Sequence, residues 1–148
     1  MMNQDLCKPE IKAGIIARIN KLHPGSKALW GKMNVEQMMG HCQQQLRVAI
    51  GDLQLKQSLI GVLFGRLAKK KLLEDKPFSK NLPTAPQFIV KSTPEFESAK
   101  NNLIGFITRF DENAITKAPH PFFGKMTVAE WSEGTWKHLD HHLRQFGV

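Results

Sequence analysis

Apolar residues recur at helical spacing through most of the sequence, and this periodicity is the feature that most constrains the fold. The first periodic segment runs from Pro9 to about His23, and its apolar stripe consists of Ile11, Ile15, Ile19 and Leu22. Strand signals are scarce, because the chain has no Tyr and only Gln87–Lys91 has an extended pattern. The pattern therefore predicts an all-α protein.

Helix caps and helix breakers divide the rest of the chain. A second helix is predicted from Asn34 to about Ile50, a third from Lys56 to about Leu73, and a fourth begins at Thr93-Pro94 and has Phe110 on its buried face. The last helix runs from Thr127 to about Phe146. The spacing predicts one domain over residues 1–148. Its expected fold is a four-helix bundle with a long crossover, which contains an extra helix, between the second and third bundle helices.

Two helix starts have similar sequences. The segment Leu29–Met38 matches Phe122–Trp131, since an aromatic-Gly-Lys-Met turn precedes a cap in both. Asn34 with Gln37, and Thr127 with Glu130, have the spacing of a capping box, in which each residue satisfies a free backbone amide of the other. The match predicts two helices that start alike and have related roles.

Composition excludes several classes of protein. The longest apolar run, Leu59–Phe64, is much shorter than the roughly 20 residues that a membrane-spanning helix needs. The residues Met1–Leu6 have neither the basic nor the apolar region of a signal peptide, so a cytoplasmic location is expected. Two cysteines, Cys7 and Cys42, form no disulfide framework and are expected to be reduced.

The net charge is +8, and half of this excess lies between Arg66 and Lys80. The segment 66–80 contains six basic residues and two acidic ones. One interpretation is a helix that binds a membrane surface or an anionic ligand; the favoured one is a bundle-capping helix with a solvated end. No nucleic-acid recognition motif accompanies the charge, so nucleic acid is not an expected partner.

Histidines are clustered near the end of the last helix. At 100° per residue, His142 lies about 40° and His138 about 80° from the centre of its apolar stripe, so both face the core side. His141 lies about 140° away, on the polar face with Lys137 and Arg144. On the second helix His41 lies about 120° from Val35, a flank position that suits either a cleft between helices or a solvated surface.

Two histidines one helical turn apart can bind one ion, and a third from a facing helix completes three protein ligands. Such a site leaves a position for water or substrate, and the ion acts as a Lewis acid that lowers the pKa of water or a thiol bound to it. Asp140 lies about 120° from the stripe, so no carboxylate is assigned as a general base. Structural histidines remain the alternative interpretation.

The segment Trp136–Gly147, which contains KHLDHHLRQFG, resembles the signature of the DinB/YfiT-like superfamily. The segment His120–Lys125, HPFFGK, resembles a branch of that superfamily with no assigned function. Members are four-helix bundles with a histidine on the second helix and an H-x-x-H-H segment on the last. The resemblance implies that His41, His138 and His142 bind a divalent metal, zinc or nickel.

The resemblance further implies a metal-dependent enzyme acting on a small-molecule substrate, either as an S-transferase that uses a low-molecular-weight thiol or as a hydrolase. Gln45 and Trp131 are candidate substrate contacts, and no catalytic residue is assigned. A homodimer is compatible with this interpretation. The alternative is a non-catalytic binding module with structural histidines and a basic surface segment.

Overall fold

A computed structural model describes residues 4–148, and its regular elements are helical. The α-helices are α1 (Pro9–Ile19), α2 (Val35–Ala49), α3 (Leu59–Leu72), α4 (Phe96–Arg109) and α5 (Val128–Gln145), with a short 3-10 helix at Pro86–Phe88. Residues 4–148 contain no strand, so the all-α prediction is confirmed. The expectation that no signal peptide is present rests partly on residues 1–3, which lie outside the described residues.

The two related helix starts both form as predicted. Asn34 caps α2 and Thr127 caps α5, and each forms a complete capping box, with Gln37 and Glu130 respectively. The glycine of each preceding turn has a positive φ, +82° at Gly31 and +74° at Gly124. Sequence similarity at these two sites therefore reflects one shared local structure, a left-handed glycine turn followed by a capped helix.

Three helix termini lie a few residues inside the approximate boundaries that the sequence predicts. α1 ends at Ile19 because Lys21 and Leu22 turn back onto Arg18 and Ile19. α3 begins after Ser58, whose hydroxyl accepts from the Gly61 amide. α4 begins after Glu95, because the hydroxyl of Thr93 accepts a hydrogen bond from Asn34 instead of capping its own helix.

Helix packing places α1 and α2 each against both α4 and α5. The core between them is apolar and includes Ile15, Met38, Leu46, Leu103, Ile107, Phe110 and Leu139. Cys42 is buried in this core and Cys7 is partly buried, and both are free, as predicted. Within residues 4–148 no helix combines the length and the apolar character needed to cross a membrane.

Two charged residues of α5 are buried, and the prediction that Lys137 lies on the polar face was wrong. The Lys137 amine donates to the carbonyl oxygens of Leu72 and Glu74, which lie at the C-terminal end of α3. The Leu72 oxygen lies in the last turn of α3 and has no partner within the helix, so the lysine satisfies it. The Glu74 oxygen, two residues past the helix, also accepts from the Lys76 amide. Asp140 is bound by Arg18 of α1 at 2.7 Å and by Arg144 at 2.8 Å.

Replacing Arg18 by Met should lower the free energy of unfolding by about 2–3 kcal/mol, because the buried Asp140 carboxylate loses a charged hydrogen-bond donor. Denaturant unfolding monitored by circular dichroism measures this change. The matched control is Arg109→Met, which removes the exposed ion pair with Asp52 and should cost less than about 1 kcal/mol. Equal losses in the two variants would contradict the assigned role of Asp140.

Candidate metal centre

Three histidines from two helices meet between α2 and α5. Their potential ligand atoms all lie within 4.8 Å of one another. The ring centroids of His41 are 4.8 Å from His138 and 4.7 Å from His142, and the two α5 rings are 4.6 Å apart. The structure thus brings His41, His138 and His142 close enough to bind one metal ion.

His41 is oriented by the backbone of the crossover. Its Nδ1 lies 3.0 Å from the carbonyl oxygen of Phe88, which directly follows the exposed segment 81–87 and is itself buried. A carbonyl oxygen only accepts hydrogen bonds, so Nδ1 carries the hydrogen. The free electron pair of His41 is therefore on Nε2, which points at His138 at a distance of 2.9 Å.

His142 is oriented by a relay of two hydrogen bonds. Its Nδ1 lies 2.8 Å from Oε1 of Gln145, and the Nε2 amide of Gln145 donates to the carbonyl oxygen of Trp30 at 2.7 Å. Because the carbonyl oxygen of Trp30 can only accept a hydrogen bond, it faces the NH₂ group of Gln145, and the amide oxygen of Gln145 faces the histidine. His142 therefore carries its hydrogen on Nδ1 and its free electron pair on Nε2.

Gly31 makes room for this relay. A Cβ atom at this position would lie 2.5 Å from Nε2 of Gln145, and the residue has φ +82°. Both the close approach and the left-handed backbone favour glycine. The left-handed turn at Gly31, before α2, therefore leaves the space that the Gln145 side chain at the end of α5 occupies.

His138 differs from the other two ligand candidates. Its Nε2 contacts Nε2 of His41, while its Nδ1 is buried and lacks a hydrogen-bond partner within the described residues. With the hydrogen on Nδ1, all three histidines direct a free electron pair from Nε2 toward the cluster. This donor set fits a borderline ion such as zinc or nickel.

The site keeps its imidazoles neutral. Burial lowers the pKa of His142 to about 3, and burial together with the neighbouring imidazoles holds the pKa of His138 well below its ordinary value. Burial also lowers the pKa of His41, although the Phe88 carbonyl opposes this effect. Neutral imidazole is the form that binds a metal, so the site has free electron pairs available at neutral pH.

The remaining histidines of the region have other surroundings. His141 is partly buried between Trp30 and Phe78, with its ring centroid 5.7 Å from each of theirs. His120 is buried at a turn, where its Nδ1 accepts from the amides of Phe122 and Phe123. His120 packs against Trp131, at a centroid distance of 5.2 Å.

The two candidate substrate contacts lie on different helices. Gln45 is partly buried on α2. Trp131 is buried on α5, and its indole nitrogen has no hydrogen-bond partner within residues 4–148. Their predicted roles in binding a substrate remain predictions.

Gln145 is the residue of this site that sequence reasoning missed. Its position three residues after His142 on the same helix is a detectable signal, since residues at i and i+3 are neighbours on a helix surface. No sequence pattern marks the carbonyl oxygens of Phe88 and Trp30 as hydrogen-bond acceptors for this site. The backbone offers the same carbonyl at every residue, and only the tertiary structure determines which one faces a histidine.

Replacing Gln145 by Leu should weaken Zn²⁺ binding about 10- to 100-fold, because His142 loses the acceptor that fixes its tautomer. Gly31→Ala should have a similar effect, because its Cβ displaces the Gln145 amide. Competition with a chromophoric chelator measures the affinity. The control is Gly51→Ala, which also has a positive φ, +79°, but faces Thr116 and should leave the affinity unchanged. Wild-type affinity in both site variants would contradict the relay.

Comparison with known proteins identifies a family whose model covers nearly the whole chain. No curated protein and no solved structure matches it. A protein-family model does match, over residues 4–147, and the family is described as "Protein of unknown function (DUF1569)". The matched range includes the three clustered histidines as well as Gly31 and Gln145. The chain therefore belongs to the DUF1569 family.

Proposed function

We propose that this protein is a divalent-metal-dependent enzyme in which His41, His138 and His142 hold zinc or nickel. The observation that carries the proposal is the pair of hydrogen bonds behind the cluster. Phe88 and Gln145 each accept from Nδ1 of a histidine, so that both Nε2 atoms are free toward the third ring. Three protein ligands leave a coordination position open, which is the arrangement of catalytic rather than structural zinc sites.

Within residues 4–148 the cluster contains no carboxylate, and this bears on the chemistry. The grouped side chains are three histidines, and Asp140, the neighbouring acid on α5, is bound by Arg18 and Arg144. An ion held by neutral ligands keeps its full charge and supplies Lewis acidity to a bound thiol or water. This charge supports S-transfer with a low-molecular-weight thiol, or hydrolysis, as the reaction on a small substrate.

A cavity of about 150 Å³ lies next to the histidine cluster. His141 lines it and also contacts the ring of His142, with 5.1 Å between the two centroids. The other walls are mainly aromatic and cationic, and the one acid among the described lining residues, Asp140, is paired with Arg18 and Arg144. The remaining lining residues are Trp30, Pro77, Phe78, Lys80, Lys137 and Arg144. We propose that the substrate approaches through this cavity and that its walls favour a small anionic molecule with an apolar part.

Further proposals concern the architecture and setting. The contacts of α1, α2, α4 and α5 support a DinB-like four-helix bundle with α3 inserted in the crossover, in one domain over residues 1–148. The resemblance of the HPFFGK and KHLDHHLRQFG segments supports placement in the DinB/YfiT-like superfamily. A cytoplasmic location and a homodimer are proposals that await experiment.

Alanine substitution distinguishes the histidines of the cluster. His41→Ala, His138→Ala or His142→Ala removes one of three protein ligands, so bound metal should fall from near one equivalent to below about a tenth. His141→Ala is the matched control, because it lies beside the cluster on the same helix and should retain its metal. Elemental analysis of protein purified without an affinity tag or a chelator measures the content.

The alternative function is a non-catalytic binding module with structural histidines. It is favoured by the 2.9 Å separation of the His41 and His138 Nε2 atoms, which is also the length of a direct hydrogen bond. This alternative predicts wild-type protein without metal and without uptake of added Zn²⁺ or Ni²⁺. Metal lost in His141→Ala but retained in His138→Ala would show that the ligand set is wrong.

The open coordination position can be tested with Co²⁺-loaded protein and cysteine as a thiol probe. We expect a thiolate-to-metal charge-transfer band to appear on adding cysteine, because the three histidines leave a position that a sulfur ligand can occupy. Serine is the control ligand and should produce no such band. Unchanged spectra with cysteine, in protein that contains stoichiometric Co²⁺, would contradict thiol chemistry while leaving the metal site intact.

A further inference from the structure

In α3 the large apolar side chains face the solvent and the glycines face the protein, which is the reverse of an ordinary surface helix. Its exposed residues include six large apolar side chains, each between 56 and 84 per cent exposed: Leu59, Ile60, Val62, Leu63, Phe64 and Leu67. An amphipathic helix normally buries such residues against the core. Here they form an apolar outer face on one short helix.

Over the first two turns of α3, the buried residues of its inner face are glycines. Gly61 and Gly65 are buried against the backbone of the turn at Phe122, and a Cβ atom at Gly61 would lie 2.7 Å from the Phe122 carbonyl oxygen. The helix is also fixed at both ends. The Ser58 amide donates to the Pro121 carbonyl oxygen, and Lys137 binds the Leu72 carbonyl. The exposed apolar residues therefore belong to a helix held in place, whose inner side has no space for them.

The charged residues of α3 itself are all of one sign. α3 contains Arg66, Lys69, Lys70 and Lys71 and no acidic residue. Lys69 is bound to Glu130, whereas Arg66, Lys70 and Lys71 are exposed at the C-terminal half of the helix. The outer face thus combines an apolar N-terminal half with a basic C-terminal half.

We propose that the outer face of α3 binds an anionic lipid surface. The apolar side chains are placed to enter the boundary between headgroups and acyl chains, while the cations bind anionic headgroups. Charge complementarity favours this occupant over a second copy of the chain. Two parallel α3 helices would bring two basic clusters together, and two antiparallel ones would place a basic half against an apolar half, with no acidic residue on either helix.

Flotation of the intact protein with vesicles tests the proposal. The protein should bind vesicles of phosphatidylcholine and phosphatidylserine at 7:3, and binding should weaken as salt is raised from 0.1 to 0.5 M. Lys70→Gln with Lys71→Gln should reduce the affinity about 30-fold, at about a factor of five for each cation. Leu63→Ser with Leu67→Ser should reduce the affinity for these vesicles about 100-fold.

Matched controls lie elsewhere on the surface. Leu82→Ser with Ile89→Ser removes two apolar side chains of similar exposure, 54 and 51 per cent, and should bind vesicles as the wild type does. Lys91→Gln with Lys117→Gln removes the same charge away from α3. Circular dichroism of each variant verifies the fold, which the outer-face substitutions should leave intact because these side chains point away from the protein.

Three results would overturn the proposal. One is no binding to vesicles that contain phosphatidylserine, and another is equal binding to phosphatidylcholine alone. The third is a dimer in sedimentation velocity that Leu63→Ser with Leu67→Ser dissociates, without vesicle binding by the wild type. That result would assign the outer face to a second copy of the chain.

Discussion

Two backbone carbonyl oxygens, those of Phe88 and Trp30, determine which nitrogens of His41 and His142 carry hydrogen in the candidate centre. Phe88 acts directly on His41, and Trp30 acts on His142 through Gln145. Both oxygens come from connecting segments outside α2 and α5, because Phe88 ends the 3-10 helix of the crossover and Trp30 lies in the turn before α2. The helices supply the three imidazoles at the right spacing, and the connecting segments convert them into a set of donors with a defined orientation. The loops are therefore as much a part of the centre as the helices.

The position of α5 is fixed by charges that the helix buries beside its histidines. Asp140 joins α5 to α1 through Arg18, and Lys137 joins it to the end of α3. Lys137 directly precedes His138, and Asp140 lies between His138 and His142 in sequence. Their bonds hold α5 against rotation and sliding, and this rigidity is what a site with three ligands from two helices requires.

The sequence predicts the parts of this structure that depend on local signals. The capping boxes at Asn34 and Thr127 are correct to the residue, because a side chain three positions away satisfies the cap. Helical angles select His138 and His142 for the same reason, since both lie on one helix with regular geometry. The predictions that fail concern residues whose partners are distant in sequence. Thr93, for example, accepts a hydrogen bond from Asn34 instead of capping α4.

The burial of Lys137 shows the same limit. Its position on the helix wheel predicts exposure, yet the Leu72 and Glu74 carbonyl oxygens at and just beyond the end of α3 accept hydrogen bonds from it. The outer face of α3 is a related case. Hydrophobic residues at helical spacing predict burial, but the two glycines of the inner face allow the helix to approach the Phe122 turn on its opposite side. Periodicity identifies the apolar face without determining what covers it.

The contact between Phe88 and His41 has a kinetic consequence. Residues 81–87 and Ile89 are exposed, so the ring of Phe88 is the point at which this stretch is attached to the core. Segments with few buried contacts open with a smaller free energy than the protein as a whole. Each opening of this stretch releases Nδ1 of His41 and lets the hydrogen move to Nε2, where it blocks the electron pair. The lifetime of the closed segment thus sets how long the His41 donor persists, independently of the stability of the helices.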